Sequence, residues 1–274
     1  MIGKNWLKRC AFVFVGVCLA SVSASAQRND RAGALDCNDD WSGNRLATHC
    51  EIKEQTLAAT KGTLSVDARE NGGIRIKGWD RSDVLVRARV HSAAPTQSEA
   101  DSLATQVRVE TANSKIHAEG PRRRQDYYWD VSYEIFVPRQ SDLSLETYNG
   151  GIGISDVRGR IEFTAVNGGI HLQGLGGRVR GSTTNGGLHI ELDGDRWDGE
   201  ELDVETTNGG IQMSVPENYS ARLETGTVNG SLHVDFPVTM QGRISKEVNV
   251  VLGSGGATVR ALTTNGGVKI NRRS

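Results

Sequence analysis

Leu145-Glu146-Thr147-Tyr148-Asn149-Gly150-Gly151-Ile152-Gly153-Ile154 and, 18 residues later, Phe163-Thr164-Ala165-Val166-Asn167-Gly168-Gly169-Ile170-His171-Leu172 repeat one pattern. Leu145 and Thr147 before the corner, and Ile152 and Ile154 after it, occupy alternate positions. A period of two sends one face of a short strand into a core and the other into solvent. Each unit therefore reads as strand, Asn-Gly-Gly corner, strand, second corner.

Outward from this pair, Asn-Gly-Gly recurs at Asn71, Asn149, Asn167, Asn185, Asn208 and Asn265, with a variant at Asn229 and a degenerate copy at Asn113. Successive spacings of 42, 36, 18, 18, 23, 21 and 36 set a base period of 18, the 36s being two units with one corner lost. Two all-β architectures fit. Asn-Gly between alternating runs is a strong hairpin signal, which gives an antiparallel meander. A single-stranded parallel β-solenoid (β-helix or β-roll) stacks equivalent strands about 4.8 Å apart. One identical corner at one fixed period favours the solenoid, because hairpins do not demand it and stacked coils do. The repeated Asn would form an amide ladder and the glycines would supply positive φ. About eleven coils, on the order of 50 Å, are expected between Asn71 and Asn265.

Residues 84–137 break the period, with a short helical pattern near 95–104 that covers the first coils. Residues 1–26 read as a signal peptide: Lys4, Lys8 and Arg9 precede an apolar run, and Ala24-Ser25-Ala26 is a small-x-small cleavage site. Residues 27–60 form an N-terminal cap, and 61–274 the solenoid. Cys37 and Cys50 remain after cleavage, an even number in an oxidising compartment, and are expected to pair. They lack the C-x-x-C spacing of a redox or metal pair.

Ile74-Arg75-Ile76-Lys77-Gly78-Trp79-Asp80, the strand Tyr133-Glu134-Ile135-Phe136-Val137-Pro138, and the units TYNGGIGI and TAVNGGIHL together carry a resemblance. Over residues 55–271 the chain resembles the exported bacterial "putative adhesin" β-solenoid family, a domain of unknown function. That resemblance implies a solenoid at the cell envelope with no assigned catalytic residues.

Composition narrows the function. The 274 residues carry 32 basic and 33 acidic side chains, a net charge of −1, and aromatics make up 5%. Neither a global positive field nor a base-stacking surface is present, which excludes nucleic acid as the partner. No segment of the mature chain has the length and apolarity of a transmembrane helix. No nucleophile elbow, phosphate loop, zinc-protease motif or dinucleotide fingerprint occurs, so neither a cofactor nor a catalytic residue is assigned.

Outward columns are the remaining candidates. His171 and His189 fall four residues after their Asn, and Gln173 and Glu191 two further on, so the four form a ligand-binding square if coils stack. A solvated polar ladder is the plainer reading, and no metal is assigned. Arg122-Arg123-Arg124 before Tyr127, Tyr128 and Trp129 is the one basic–aromatic cluster, suited to an acidic polysaccharide or else a turn into an inward-packing strand. Acids in the column five before the Asn alternate with arginines, which pairs them rather than raising a pKa. The expectation is a non-enzymatic exported protein, periplasmic or at the cell surface, whose repetitive surface binds a glycan or an envelope protein. The alternatives are a polysaccharide lyase or hydrolase on a β-helix, which needs two opposed acids, and a ligand-free envelope scaffold.

Overall fold

Wherever the sequence alternates, the chain is a strand, and the protein is all-β with one helix among the described residues. The computed structural model describes residues 35–37, 45–58, 62–235 and 246–273. The expected signal segment 1–26 and half of the 27–60 segment lie outside the described residues.

The first strands are β1 (Ala47–Ala58), β2 (Leu64–Asp67), β3 (Ile74–Trp79) and β4 (Asp83–Ala94). The helix α1 (Gln97–Gln106) follows, then β5 (Arg108–Glu110), β6 (Lys115–Glu119) and β7 (Tyr128–Pro138). The repeats supply β8 (Leu143–Asn149), β9 (Ile152–Ser155), β10 (Arg158–Asn167), β11 (Ile170–Gln173), β12 (Gly176–Asn185) and β13 (Leu188–Glu191). They continue through β14 (Glu201–Asn208), β15 (Ile211–Pro216), β16 (Ala221–Asn229), β17 (Leu232–Val234), β18 (Glu247–Leu252), β19 (Thr258–Asn265) and β20 (Val268–Arg273).

These strands make two ten-stranded mixed sheets, ordered β1-β4-β7-β3-β9-β11-β13-β15-β20-β17 and β18-β16-β19-β14-β12-β10-β8-β2-β6-β5. The two flanks of each Asn-Gly-Gly corner lie in different sheets, so no hairpin forms there: β8 pairs in parallel with β10, and β9 with β11. Antiparallel pairing is confined to the ends, at β1–β4, β4–β7, β5–β6 and β16–β18. Between the sheets, Ile152, Ile154, Ile161, Phe163, Ile170 and Leu172 are buried. Each contributes about 1.5–3 kcal/mol over its exposed state.

The stacking order departs from the expected one. Asn113 is not a corner; it has φ of 54° in the turn before β6, and Asn71 bridges directly to Asn149. The intervening chain leaves the stack through β4 and α1 and returns in β7. At the other end β19 and β20 insert between the Asn208 and Asn229 levels, because β19 pairs with both β14 and β16. The corners thus run Asn71, 149, 167, 185, 208, 265, 229: seven levels over roughly 29 Å, rather than eleven. The two long gaps hold excursions at the ends, which a count of corners cannot distinguish from coils that lost a signature.

Corner glycines act differently from the expectation too. Gly150 and Gly168 are not in the left-handed region; instead, a Cβ on Gly168 would sit 1.9 Å from the Gly150 carbonyl oxygen. Close approach of stacked backbones, not positive φ, requires glycine here. The amide ladder spans all seven levels, with Asn167 Nδ2 donating to Asn149 Oδ1 at 2.8 Å and Asn185 Nδ2 to Asn167 Oδ1 at 2.8 Å. Its rungs past Asn71 are exposed, so each bond adds only about 0.5–1.5 kcal/mol at most. Two residues earlier, Thr147, Thr183, Thr206, Thr263 and Thr227 each donate a hydroxyl to a glycine carbonyl of the neighbouring level. Arg69 at the first level and Ala165 break that column.

Candidate binding surfaces

Two places gather polar side chains with chemistry to offer. The first lies where the irregular strands meet the start of the ladder. β7 runs antiparallel to β4, which sets His91 opposite Asp130 and Ser92 opposite Trp129. His91 Nδ1 and Asp130 Oδ2 are 3.1 Å apart. The turn before β7 is tied to α1: the Tyr127 hydroxyl donates to Glu99 Oε1 at 2.5 Å, and Glu99 also closes the capping box on Thr96. Those bonds, that from Tyr127 first, hold the Glu99 carboxyl below its usual pKa.

The three arginines of this turn do different work. Arg124 stacks over the Tyr127 ring at 3.7 Å. Arg123 donates to Glu70 Oε2 at 3.0 Å and to the Trp129 carbonyl at 3.0 Å. Arg122 is exposed. Trp129 donates from Nε1 to the Pro121 carbonyl at 2.8 Å, while Tyr128 stays 48% exposed. A hollow of about 470 Å³ results, walled by Arg123, Tyr128, Trp129, Asp130, His91 and the first two Asn of the ladder. The Asn71 amide lies there between Asn149 Nδ2, 2.9 Å away, and the Arg123 guanidinium. The basic–aromatic motif, with Asp130 directly after it, was legible in the sequence, but the arrival of His91 and Asn71 beside it was not. The β4–β7 register brings His91, and the β3–β7 pairing brings the Asn71 corner.

The second place is the outward face of the other repeat strands. β11 and β13 pair in parallel with His171 opposite His189 and Gln173 opposite Glu191. The two imidazoles stack, with centroids 4.7 Å apart and planes 9° from parallel. His189 Nε2 lies 3.1 Å from Glu191 Oε1. Partial burial, then the neighbouring His189, push the His171 pKa down; Glu191 opposes this. Two cations from distant segments also reach the group. Arg75 lies two strands away across the side-chain-free Gly153, and Arg273 Nη1 is 3.7 Å from Glu191 Oε2. Arg273 was not nominated from sequence, because the insertion of β20 beside β15 was hidden.

Elsewhere, charges in the outward columns pair across neighbouring strands. Glu201 takes Arg180 at 2.6 Å and Arg178 at 3.2 Å, and Arg260 holds Asp203. Cys37 and Cys50 are joined in a disulfide. No helix among the described residues is long and apolar enough to cross a membrane.

Residues 46–271, from the start of β1 to within β20, match the family described as Toastrack DUF4097. The chain belongs to that family. No curated protein matches it. Among solved structures, a "putative cell adhesion protein" from Clostridium sporogenes is similar over 82% of this chain and 100% of its own, at 8% identity and a TM-score of 0.44. A "putative lipid binding protein" from Parabacteroides distasonis is similar over 81% and 96%, at 10% identity and 0.39. A "putative adhesin" from Bacteroides fragilis is similar over 81% and 97%, at 10% and 0.33. The Toastrack match spans both places described above and assigns a residue role to neither.

Proposed function

We propose that this Toastrack protein is an exported, non-enzymatic envelope protein whose β-solenoid body presents a carbohydrate-binding end. The observation that carries the reading is the hollow beside Tyr128. An exposed aromatic ring, a guanidinium, a carboxylate–imidazole pair and two amides surround one space of about 470 Å³. Aromatic faces take the apolar side of a sugar ring, and planar polar groups take its hydroxyls. Arg123 adds a preference for acidic sugars.

Reading the repeats as a single-stranded parallel solenoid with an N-terminal cap is supported by the alternation of strands between the sheets and by the in-register corners. Export is supported by the basic–apolar–small pattern of residues 1–26 and by the Cys37–Cys50 disulfide, since disulfides persist in oxidising compartments. The non-enzymatic reading rests on the paired acids: Glu201 and Asp203 are each engaged by an arginine rather than facing a second acid across a groove, as glycoside hydrolysis requires.

The test is a pull-down on immobilised polygalacturonate, alginate and neutral glucans with the intact protein and Tyr128→Ala. Saturable binding to an acidic polymer that weakens tenfold or more in the variant supports the reading. Binding to none of these polymers, or binding indifferent to Tyr128, overturns it.

A further inference from the structure

We propose that His171, His189 and Glu191 form a site for a borderline divalent transition metal, with Zn²⁺ the reference ion, on the outward column of β11 and β13. The ligand atoms of the three residues all lie within 4.8 Å of one another. Two imidazole nitrogens and one carboxylate oxygen are the donor set of open zinc sites, where solvent or a ligand takes the fourth position. Hard cations such as Mg²⁺ prefer all-oxygen sets, which this is not.

The fold supplies the preorganisation. Parallel pairing of β11 and β13 puts the imidazoles level with each other on one face, their rings 4.7 Å apart. His189 is already oriented by Glu191, 3.1 Å away. Gln173, beside Glu191 in the register, has an amide oxygen for the remaining position.

Every charged group facing the cluster bears on the affinity. Arg75 from β3 acts on His171, Lys269 from β20 borders the same shallow depression, and Arg273 from β20 contacts Glu191. All three are cations and oppose a metal. Arg273 is the direct competitor, and it has other partners in Asp193 and the Leu192 carbonyl when displaced. Its removal therefore strengthens metal binding, whereas removal of a ligand weakens it.

The experiment is a titration of the untagged full-length chain with ZnCl₂ at pH 7.5, followed by calorimetry and by the histidine ring signals in NMR spectra. The expected result is one Zn²⁺ per chain, with the His171 and His189 ring signals moving first and Mg²⁺ moving neither. His171→Ala/His189→Ala should weaken binding at least tenfold, Glu191→Gln should weaken it less, and Arg273→Ala should tighten it. Lowering the pH to 5.5 should release the ion as protons compete for the rings. No binding at 100-fold molar excess of Zn²⁺, or binding unchanged in the double variant, overturns the proposal. Both histidines lie on a solvent-facing column, and a melting curve of each variant confirms that it is folded.

Discussion

The middle of the molecule and its N-terminal end are built from the same strands but by different rules. From Asn149 to Asn208 each level repeats the last: Ile170 falls on Ile152, Leu188 on Ile170, and every Asn donates its amide to the one before. Outside the Asn71 corner with its flanks β2 and β3, nothing from β1 to β7 repeats. Pairing turns antiparallel, a helix intrudes, and Glu134 is buried between Arg87 and Arg75. Regularity gives a surface in which charges neutralise one another along a column. Irregularity gives a hollow, because non-equivalent side chains converge there. A repeat is a good scaffold, and the interruption of the repeat is where an asymmetric ligand can be held.

That contrast can be broken most severely at the corners. Gly168→Val places a side chain where the Gly150 carbonyl oxygen stands, and the loss should reach about 4 kcal/mol or more, read as urea unfolding or as absence of folded protein. Gly62, with open space around its Cβ position, should tolerate the same change. If Gly168→Val were as mild as Gly62→Val, close backbone stacking would not be what specifies the corner.

A second break lies in the core of the regular region. A Cβ on Gly181 would lie 2.2 Å from the Phe163 ring, one level away. Gly181→Ala should therefore cost about 1–3 kcal/mol by overpacking, and Phe163→Leu in the same chain should recover most of it. Simple additivity of the two changes in a double-mutant cycle would contradict the pairing of that large residue with that small one.

Smaller effects sharpen the picture. Asn167 makes two ladder bonds and Asn229 one, so Asn167→Ala should lower stability by about 1 kcal/mol and Asn229→Ala by less. Equal losses would mean that the ladder does not act as a chain. The smallest effect is with pH. His171 has a lowered pKa in the fold, so the unfolded chain binds more protons just below pH 6.5. Stability from this group is present above that value and falls as pH drops through the folded pKa. Wild type should lose slightly more melting temperature than His171→Gln between pH 7 and 5. Identical losses would remove the case for a perturbed imidazole.

The same contrast governs what the sequence reveals. Residue period and turn chemistry are local, so the corners, the inward Ile and Leu positions and the His171–His189 column could be read directly. Stacking order is not local. Nothing in residues 229–265 announces that β19 and β20 slide between two earlier levels, so the approach of Arg273 to Glu191 was invisible. The hollow fails for the same reason: Asn71 and His91 reach the basic–aromatic turn only because the chain leaves after β4 and β7 returns between β4 and β3. The role of the glycines was also misassigned, since positive φ and close backbone approach select the same residue.

The most direct test of the account pits the irregular end against the regular face. One glycan array is read with three proteins: the intact chain, Tyr128→Ala/Arg123→Ala, and His171→Ala/His189→Ala. The account predicts saturable binding to acidic glycans that is abolished only in the Tyr128/Arg123 variant. Binding that survives there and vanishes in the histidine variant would place recognition on the regular face and contradict it.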